Sequence, residues 1–260
     1  MDLNLKRKTA LITGASKGIG KAVAQALAAE GCNLHLVARG DELLRQVAGD
    51  LAQRFGVTVE ASALDLTQDA SLAQLTARLG TIDILVNNAG AVPRGSIAEV
   101  DDQSWRTGWD LKVFGYIRLC RALLPAMRAR KSGVIVNIIG VAGERPDANY
   151  VATASANAAL MMVTESLGGD SVRDGVRVIG VNPGLVATDR FLGNIKRRAA
   201  LKYGSEDRWR EMIDLPIGRA ADPREIADVV AFLASDRASY ISGTIVTVDG
   251  GLRSRPPSGV

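Results

Sequence analysis

Thr9-Ala-Leu-Ile-Thr13-Gly-Ala-Ser-Lys17-Gly-Ile-Gly20-Lys-Ala-Val-Ala-Gln-Ala-Leu-Ala-Ala-Glu30 is the stretch whose reading decides the fold. A short apolar run ends in a glycine turn, and a helix-forming segment follows at once. Gly14 allows the tight turn, Gly18 lets backbone approach a phosphate, and Gly20 permits close packing of helix on strand. The helix then turns its free N–H groups toward the turn, where Ser16, Lys17 and Ile19 would flank a bound anion. A glycine-rich turn alone is weak evidence. With a strand before it and a helix after it, it points to a nucleotide.

Outward from that stretch, apolar strand patterns recur at 32–38, 57–64, 82–86, 134–139, 176–181 and 244–248. Helical patterns alternate with them at 41–55, 69–79, 103–129, 153–172 and 223–234. Strict alternation with apolar strands implies parallel pairing with both sheet faces covered. Right-handed crossovers then give an α/β fold, a single doubly wound Rossmann domain. Its seven-stranded parallel sheet carries helices on both faces. No repeat or linker divides it, so residues 1–252 read as one domain and 253–260 as a disordered tail.

The totals narrow the function. A formal charge of +4 is too small to imply nucleic acid, and no arginine–aromatic run suggests single-strand binding. The start of the chain has no apolar signal core, and no run of 18 apolar residues exists, so a cytoplasmic protein without membrane attachment is expected. Cys32 and Cys120 have no metal-ligand spacing and read as reduced, buried small hydrophobes. The single histidine, His35, lies in an apolar strand pattern, so no metal site is expected.

Charge also bears on the cofactor. Dinucleotide folds that bind NAD usually place an acid at the end of the second strand, facing the ribose hydroxyls. Ala38-Arg39 stands there instead, and Lys17 lies inside the glycine turn. Two cations converging on the adenosine ribose favour a 2′-phosphate, which Arg can grip bidentately. NADP is therefore expected over NAD.

The glycine spacing, with Asn87-Asn-Ala-Gly90, Asn182-Pro-Gly-Leu-Val-Ala-Thr188, Pro216-Ile-Gly-Arg219, Pro223-Arg-Glu-Ile-Ala227 and Val248-Asp-Gly-Gly251, resembles the short-chain dehydrogenase/reductase family. These motifs run in family order across nearly the whole chain. The resemblance implies hydride transfer between a nicotinamide and a carbonyl or alcohol of a small-molecule substrate. It places Asp65 and Leu66 at the adenine, and Asn87, Ala89 and Gly90 along the adenosine side. Pro183, Gly184, Val186 and Thr188 match the nicotinamide side, with Thr188 near the carboxamide.

Family members use a tyrosine as proton donor, a lysine one helical turn later, a polarising serine, and an asparagine on the preceding long helix. Here the frame is present and the side chains differ. Gly133-Val-Ile-Val-Asn-Ile-Ile-Gly140 overlays the strand that ends at the serine, placing Gly140 there. Asn157-Ala-Ala-Leu160 overlays the run that begins with the lysine, placing Asn157 there and Thr153 at the tyrosine. The 13 residues from Gly140 to Thr153 match the family's serine–tyrosine interval. Lys112-Val-Phe-Gly115 overlays the asparagine's run. A rival register takes Tyr150 as the tyrosine, and if the helix already includes it, Tyr150 and Thr153 share a face.

Three readings follow. The chemistry is rebuilt around Lys112, with Tyr150 or a water on Thr153 as proton donor; or the chain is a catalytically inactive NADP-binding sensor or partner subunit; or Lys112 is merely a surface or salt-bridged helix residue and Tyr150 packs the loop. A different chemistry in the same pocket is a further alternative. The segment 189–215 matches the family's lid and is strongly basic, through Arg190, Lys196, Arg197, Arg198, Lys202, Arg208 and Arg210. Those cations either attract an acidic substrate or form the solvated face of a lid helix. Phe191, Trp209 and Met212 either wall the pocket or pack the lid. On the long helix, Trp105, Trp109, Phe114 and Tyr116 read as apolar on more than one face, which calls for a second partner. With the family's habit of pairing this helix across a dimer, a homotetramer or homodimer is expected.

Overall fold

Strand β1 (Thr9–Thr13) lies inside the sheet with a parallel neighbour on each side, β2 (Asn33–Ala38) and β4 (Ile84–Asn87). The computed structural model describes residues 1–255. Its seven strands are all parallel and run in the order β3-β2-β1-β4-β5-β6-β7, with β3 at Val59–Ala63, β5 at Gly133–Ile138, β6 at Val176–Pro183 and β7 at Thr244–Val248. The fold is the single doubly wound sheet that the alternation predicts.

Alternate residues of one strand enter different cores. Ala10 and Ile12 face α1 (Gly18–Ala29), α2 (Asp41–Phe55) and α8 (Pro223–Ala234), together with Leu34, Leu36 and Val86. Leu11 faces the other side with Val37, Leu85 and Ile135, against α3 (Asp69–Arg78) and α5 (Gly115–Ala129). Strands buried on both faces have no polar side to show, which is why they read as continuous apolar runs. Strand β3 is the exception. It is an edge strand whose only buried residue is Ser62, and it begins at Val59 rather than at 57.

The helical pattern at 103–129 is not one regular helix. Its first part, α4 (Asp102–Trp109), passes into a π turn over Asp110–Phe114 before α5 begins. Such wide turns collect at functional sites because they re-aim side chains, and Lys112 lies inside this one. Of the four aromatics expected to make two faces apolar, Trp105, Trp109 and Tyr116 pack inward together, and Tyr116 donates to the Ile138 carbonyl at 2.8 Å. Only Phe114 stays exposed. The two-faced reading of this helix is thereby corrected.

Chain direction across the sheet reverses between β1 and β4, so the crevice of the fold opens at their carboxyl ends. Helix α6 (Val151–Ser171) and α7 (Asp189–Tyr203) lead away from that end, and a short 3-10 segment, Glu206–Met212, follows α7. Of the tail expected to fray from residue 253, Arg253 pairs with Glu144 at 2.9 Å and Arg255 with Asp214 at 2.7 Å. Residues 256–260 lie outside the described residues.

Candidate active site

The turn after β1 and the loop after β4 hold each other. The Thr13 hydroxyl accepts from the backbone N–H of Asn88 at 2.9 Å and of Ala89 at 3.0 Å. The Asn88 amide donates back to the carbonyls of Thr13 and Gly14. A Cβ on Gly20 would stand 2.3 Å from the Gly14 carbonyl, so only glycine lets α1 start this close to the turn. Helix α1 has no side-chain cap and no acid in its first turn. By contrast Asp101, Thr188 and Asp222 cap α4, α7 and α8. The first N–H groups of α1 thus remain available to an anion. Lys17 and Arg39 are exposed, and among the described residues neither pairs with an acid. Asp65 is half-buried, its carboxylate accepting from Thr67, and Leu66 is buried beside it.

Lys112 is the most unusual side chain in the molecule. It is buried without a carboxylate partner. Its ammonium donates to the Ile139 carbonyl at 2.7 Å and to Asn157 Oδ1 at 2.6 Å. Its methylenes lie against Gly90, where an added Cβ would meet Lys112 Cδ at 3.1 Å. Burial lowers its pKa to about 8, helped by the nearby positive charge of Arg190. An ammonium has three donors, and two are accounted for here.

Asn157 is held from both ends. Its Nδ2 donates to the Gly140 carbonyl at 3.1 Å while its oxygen receives Lys112. Gly140 has φ 131°, and a Cβ there would stand 2.9 Å from Asn157 Nδ2. Gly140 N–H in turn donates to Asn182 Oδ1. The three residues aligned to serine, lysine and asparagine are therefore one hydrogen-bonded unit of Gly140, Asn157 and Lys112. One turn before Asn157 on α6, the buried Thr153 donates to the Pro93 carbonyl at 3.3 Å.

Tyr150 stands apart from this unit. It is the residue preceding α6, with φ −143°, so it does not share a helix face with Thr153. It pairs with Gly95 as an isolated bridge, and the Arg94 guanidinium lies 5.0 Å over its ring. The premise for Tyr150 as proton donor is not met.

A pocket of about 330 Å³ opens at the residues that follow Gly90, and none of Gly140, Asn157 and Lys112 lines it. Its floor is Ala91, Val92 and Pro93, its wall comes from Gln103, Thr107 and Gly108 on α4, and Arg190 stands at its rim. None of Phe191, Trp209 and Met212 lines it, which corrects that expectation; Trp209 lies under Arg210 instead. A second crevice, of about 280 Å³, lies at the amino ends of the strands beside Asp83 and Arg177, away from every motif described above. The sequence pattern did not single out Arg190 or the Pro93 carbonyl. Arg190 was one of seven lid cations, and a backbone carbonyl leaves no signature in the sequence.

No helix among the described residues is long and apolar enough to cross a membrane. Among them no group of three or more His, Cys, Asp and Glu side chains is placed to hold a metal.

Comparison with known proteins gives the family and agrees with the fold. The family model described as enoyl-(acyl carrier protein) reductase matches residues 14–253. A 3-oxoacyl-acyl-carrier-protein reductase of Vibrio cholerae is 34% identical over 96% of this chain and 99% of its own length. An L-sorbose reductase from Gluconobacter frateurii, solved with NADPH and L-sorbose, superposes with a TM-score of 0.92 at 36% identity, covering 98% of this chain and 100% of the other. A solved short chain dehydrogenase/reductase family protein superposes at 0.86 with 34% identity, over 98% of this chain and 100% of that one. The chain belongs to the short-chain dehydrogenase/reductase family of oxidoreductases.

Proposed function

We infer that the protein is an NADP(H)-dependent oxidoreductase acting on a carbonyl or alcohol of a small-molecule substrate, with Lys112 as its acid–base group. The observation that carries this reading is the buried ammonium of Lys112, with its pKa lowered to about 8 and one N–H left over. NADP(H), when bound, supplies or accepts the hydride. The uncapped start of α1, with Lys17 and Arg39 free of acids, suits a phosphorylated dinucleotide. The NADPH-bound sorbose reductase supports the same choice.

The residues of this chain then do the following. The ammonium of Lys112 polarises the substrate oxygen through its third N–H and gives it a proton as the alcohol forms; in oxidation the neutral amine takes the proton back. A group titrating near 8 suits both directions at neutral pH better than a phenol near 10. Asn157 and the Ile139 carbonyl fix the amine, and Gly140 leaves room for Asn157. In this reading the family's asparagine and lysine have exchanged places. The cation comes from the π turn and the amide from α6, so the site is rebuilt rather than lost. Thr153, held by Pro93, holds a water on the substrate side. The lid over the pocket is the segment 189–215. The exposed Phe114 and Met162 support a homo-oligomer, and the absence of a spanning helix among the described residues supports a cytoplasmic location.

The test is NADPH oxidation against a panel of ketones and aldehydes by wild type and Lys112→Ala. Turnover lost in the variant, with NADP binding retained, supports the reading. Equal turnover removes Lys112 from its role. NADP binding without turnover on any substrate favours an inactive sensor or partner subunit.

A further inference from the structure

The pocket floored by Ala91, Val92 and Pro93 contains no acid, and it adjoins Lys112 through Gly90, the residue before Ala91, against which the Lys112 methylenes lie. Its lining has a single charged side chain, Arg190, and no Asp or Glu. The charge of Arg190 is also felt at Lys112. Among the described residues Arg190 makes no ion pair. Its neighbours on the lid are engaged: Arg197 binds Asn194, Arg208 pairs with Glu211, and Arg210 stacks on Trp209. Asp189 is adjacent in the chain but does not line the pocket. Gln103 and Thr107 also line it: the Thr107 hydroxyl donates to the Gln103 carbonyl at 2.8 Å, and the Gln103 amide donates to Thr107 at 3.2 Å with its second N–H left over.

A guanidinium without a carboxylate partner in a pocket free of acids raises the local positive potential, and that charge is compensated most directly by an anionic ligand. A guanidinium in a pocket that also holds an amide N–H donor suits a carboxylate, which can accept two parallel N–H bonds. A cavity of about 330 Å³ holds roughly ten heavy atoms, at a water-sized share of about 30 Å³ each. We propose that this pocket recognises a small hydroxy or oxo acid, with Arg190 and the Gln103 amide holding its carboxylate while the reacting carbon lies toward Lys112. The proposal rests on the reading of Lys112 as the acid–base group, and it gives Arg190 the part of specificity residue.

Matched pairs test it. Oxo acids of four to six carbons and their methyl esters are compared by kcat/KM for wild type, Arg190→Met and Arg190→Lys. The wild type is expected to prefer the acids. Arg190→Met should cut the acid-to-ester ratio about 10–100-fold, the range of a lost charged hydrogen bond, and Arg190→Lys should retain part of it. Because Arg190 is exposed, the variant keeps its packing. An unchanged ratio, or a wild-type preference for esters, overturns the proposal. So does a loss that appears in NADP affinity instead, since Arg190 would then be holding a cofactor phosphate. If nothing is turned over, the chemistry of Lys112 fails separately. Succinate and glutarate titrated into NADP-saturated protein then decide: binding that Arg190→Met abolishes supports the anion site, and no binding removes it.

Discussion

At the residue scale the proposed chemistry turns on Lys112. As a proton donor it must be charged for reduction, so the reductive rate should fall as pH rises through about 8. Oxidation needs the neutral amine and should fall as pH drops through the same value. Initial rates in both directions from pH 6 to 10 check this, and Lys112→Ala should lower turnover about 10²–10⁴-fold where the working form of Lys112 is populated and flatten both pH profiles. Gly140 makes a second prediction. Restoring the family's serine there forces a side chain onto φ 131°, 2.9 Å from the Asn157 amide. Gly140→Ser should cost about 1–3 kcal/mol of stability, read by urea denaturation, rather than improve activity. The alignment alone put Lys112, Gly140, Thr153 and Asn157 at these positions. What it could not give was their connection, because a hydrogen bond from α6 to the π turn joins residues 45 apart in the chain. The helix-face premise for Tyr150 fails for a related reason: whether it belongs to the helix depends on where the first turn starts, and sequence periodicity places helix ends only to within a turn.

At the scale of elements, β2 carries a buried titratable group. His35 donates or accepts at Ser62 across 2.9 Å and stands 3.3 Å from Glu60. Burial lowers its pKa, outweighing the opposite pull of Glu60. The unfolded chain therefore binds this proton more readily than the folded one. Stability from His35 is whole above its ordinary value of 6.5 and is lost as pH falls from there through the lowered folded value. Unfolding free energies at pH 7.5 and 5.5 should differ less in His35→Gln than in wild type. Strands such as β1 and β5 were legible because burial on both faces makes a continuous apolar run. The edge strand β3 was less so, since half its side chains face solvent. The π turn left no signal at all. Its effect is a change in helical pitch, and a polar lysine in an otherwise amphipathic stretch looks like any outward residue.

At the scale of the whole molecule, cofactor choice should show as stability. A ligand that binds only the folded state at a hundred times its dissociation constant adds about 2.7 kcal/mol. At equal concentration NADP should raise Tm more than NAD, and Arg39→Ala should close most of that gap in a thermal melt. The topology needed no structure beyond the alternation of strands and helices. Cofactor polarity could be read because Lys17 and Arg39 sit at fixed places relative to β1 and β2. Substrate polarity could not, because the seven cations between residues 190 and 210 look alike in the sequence and only the fold brings Arg190 to the pocket. The far end of the described chain has a practical consequence. Arg253 reaches Glu144, just past Gly140, and Arg255 reaches Asp214, beyond the lid helix. One short segment thus ties the loop after β5 to the stretch beyond α7, through partly exposed pairs that are individually weak. A purification tag fused at that end pulls on both ties together, so kinetic constants from fusions at the two ends should not be pooled.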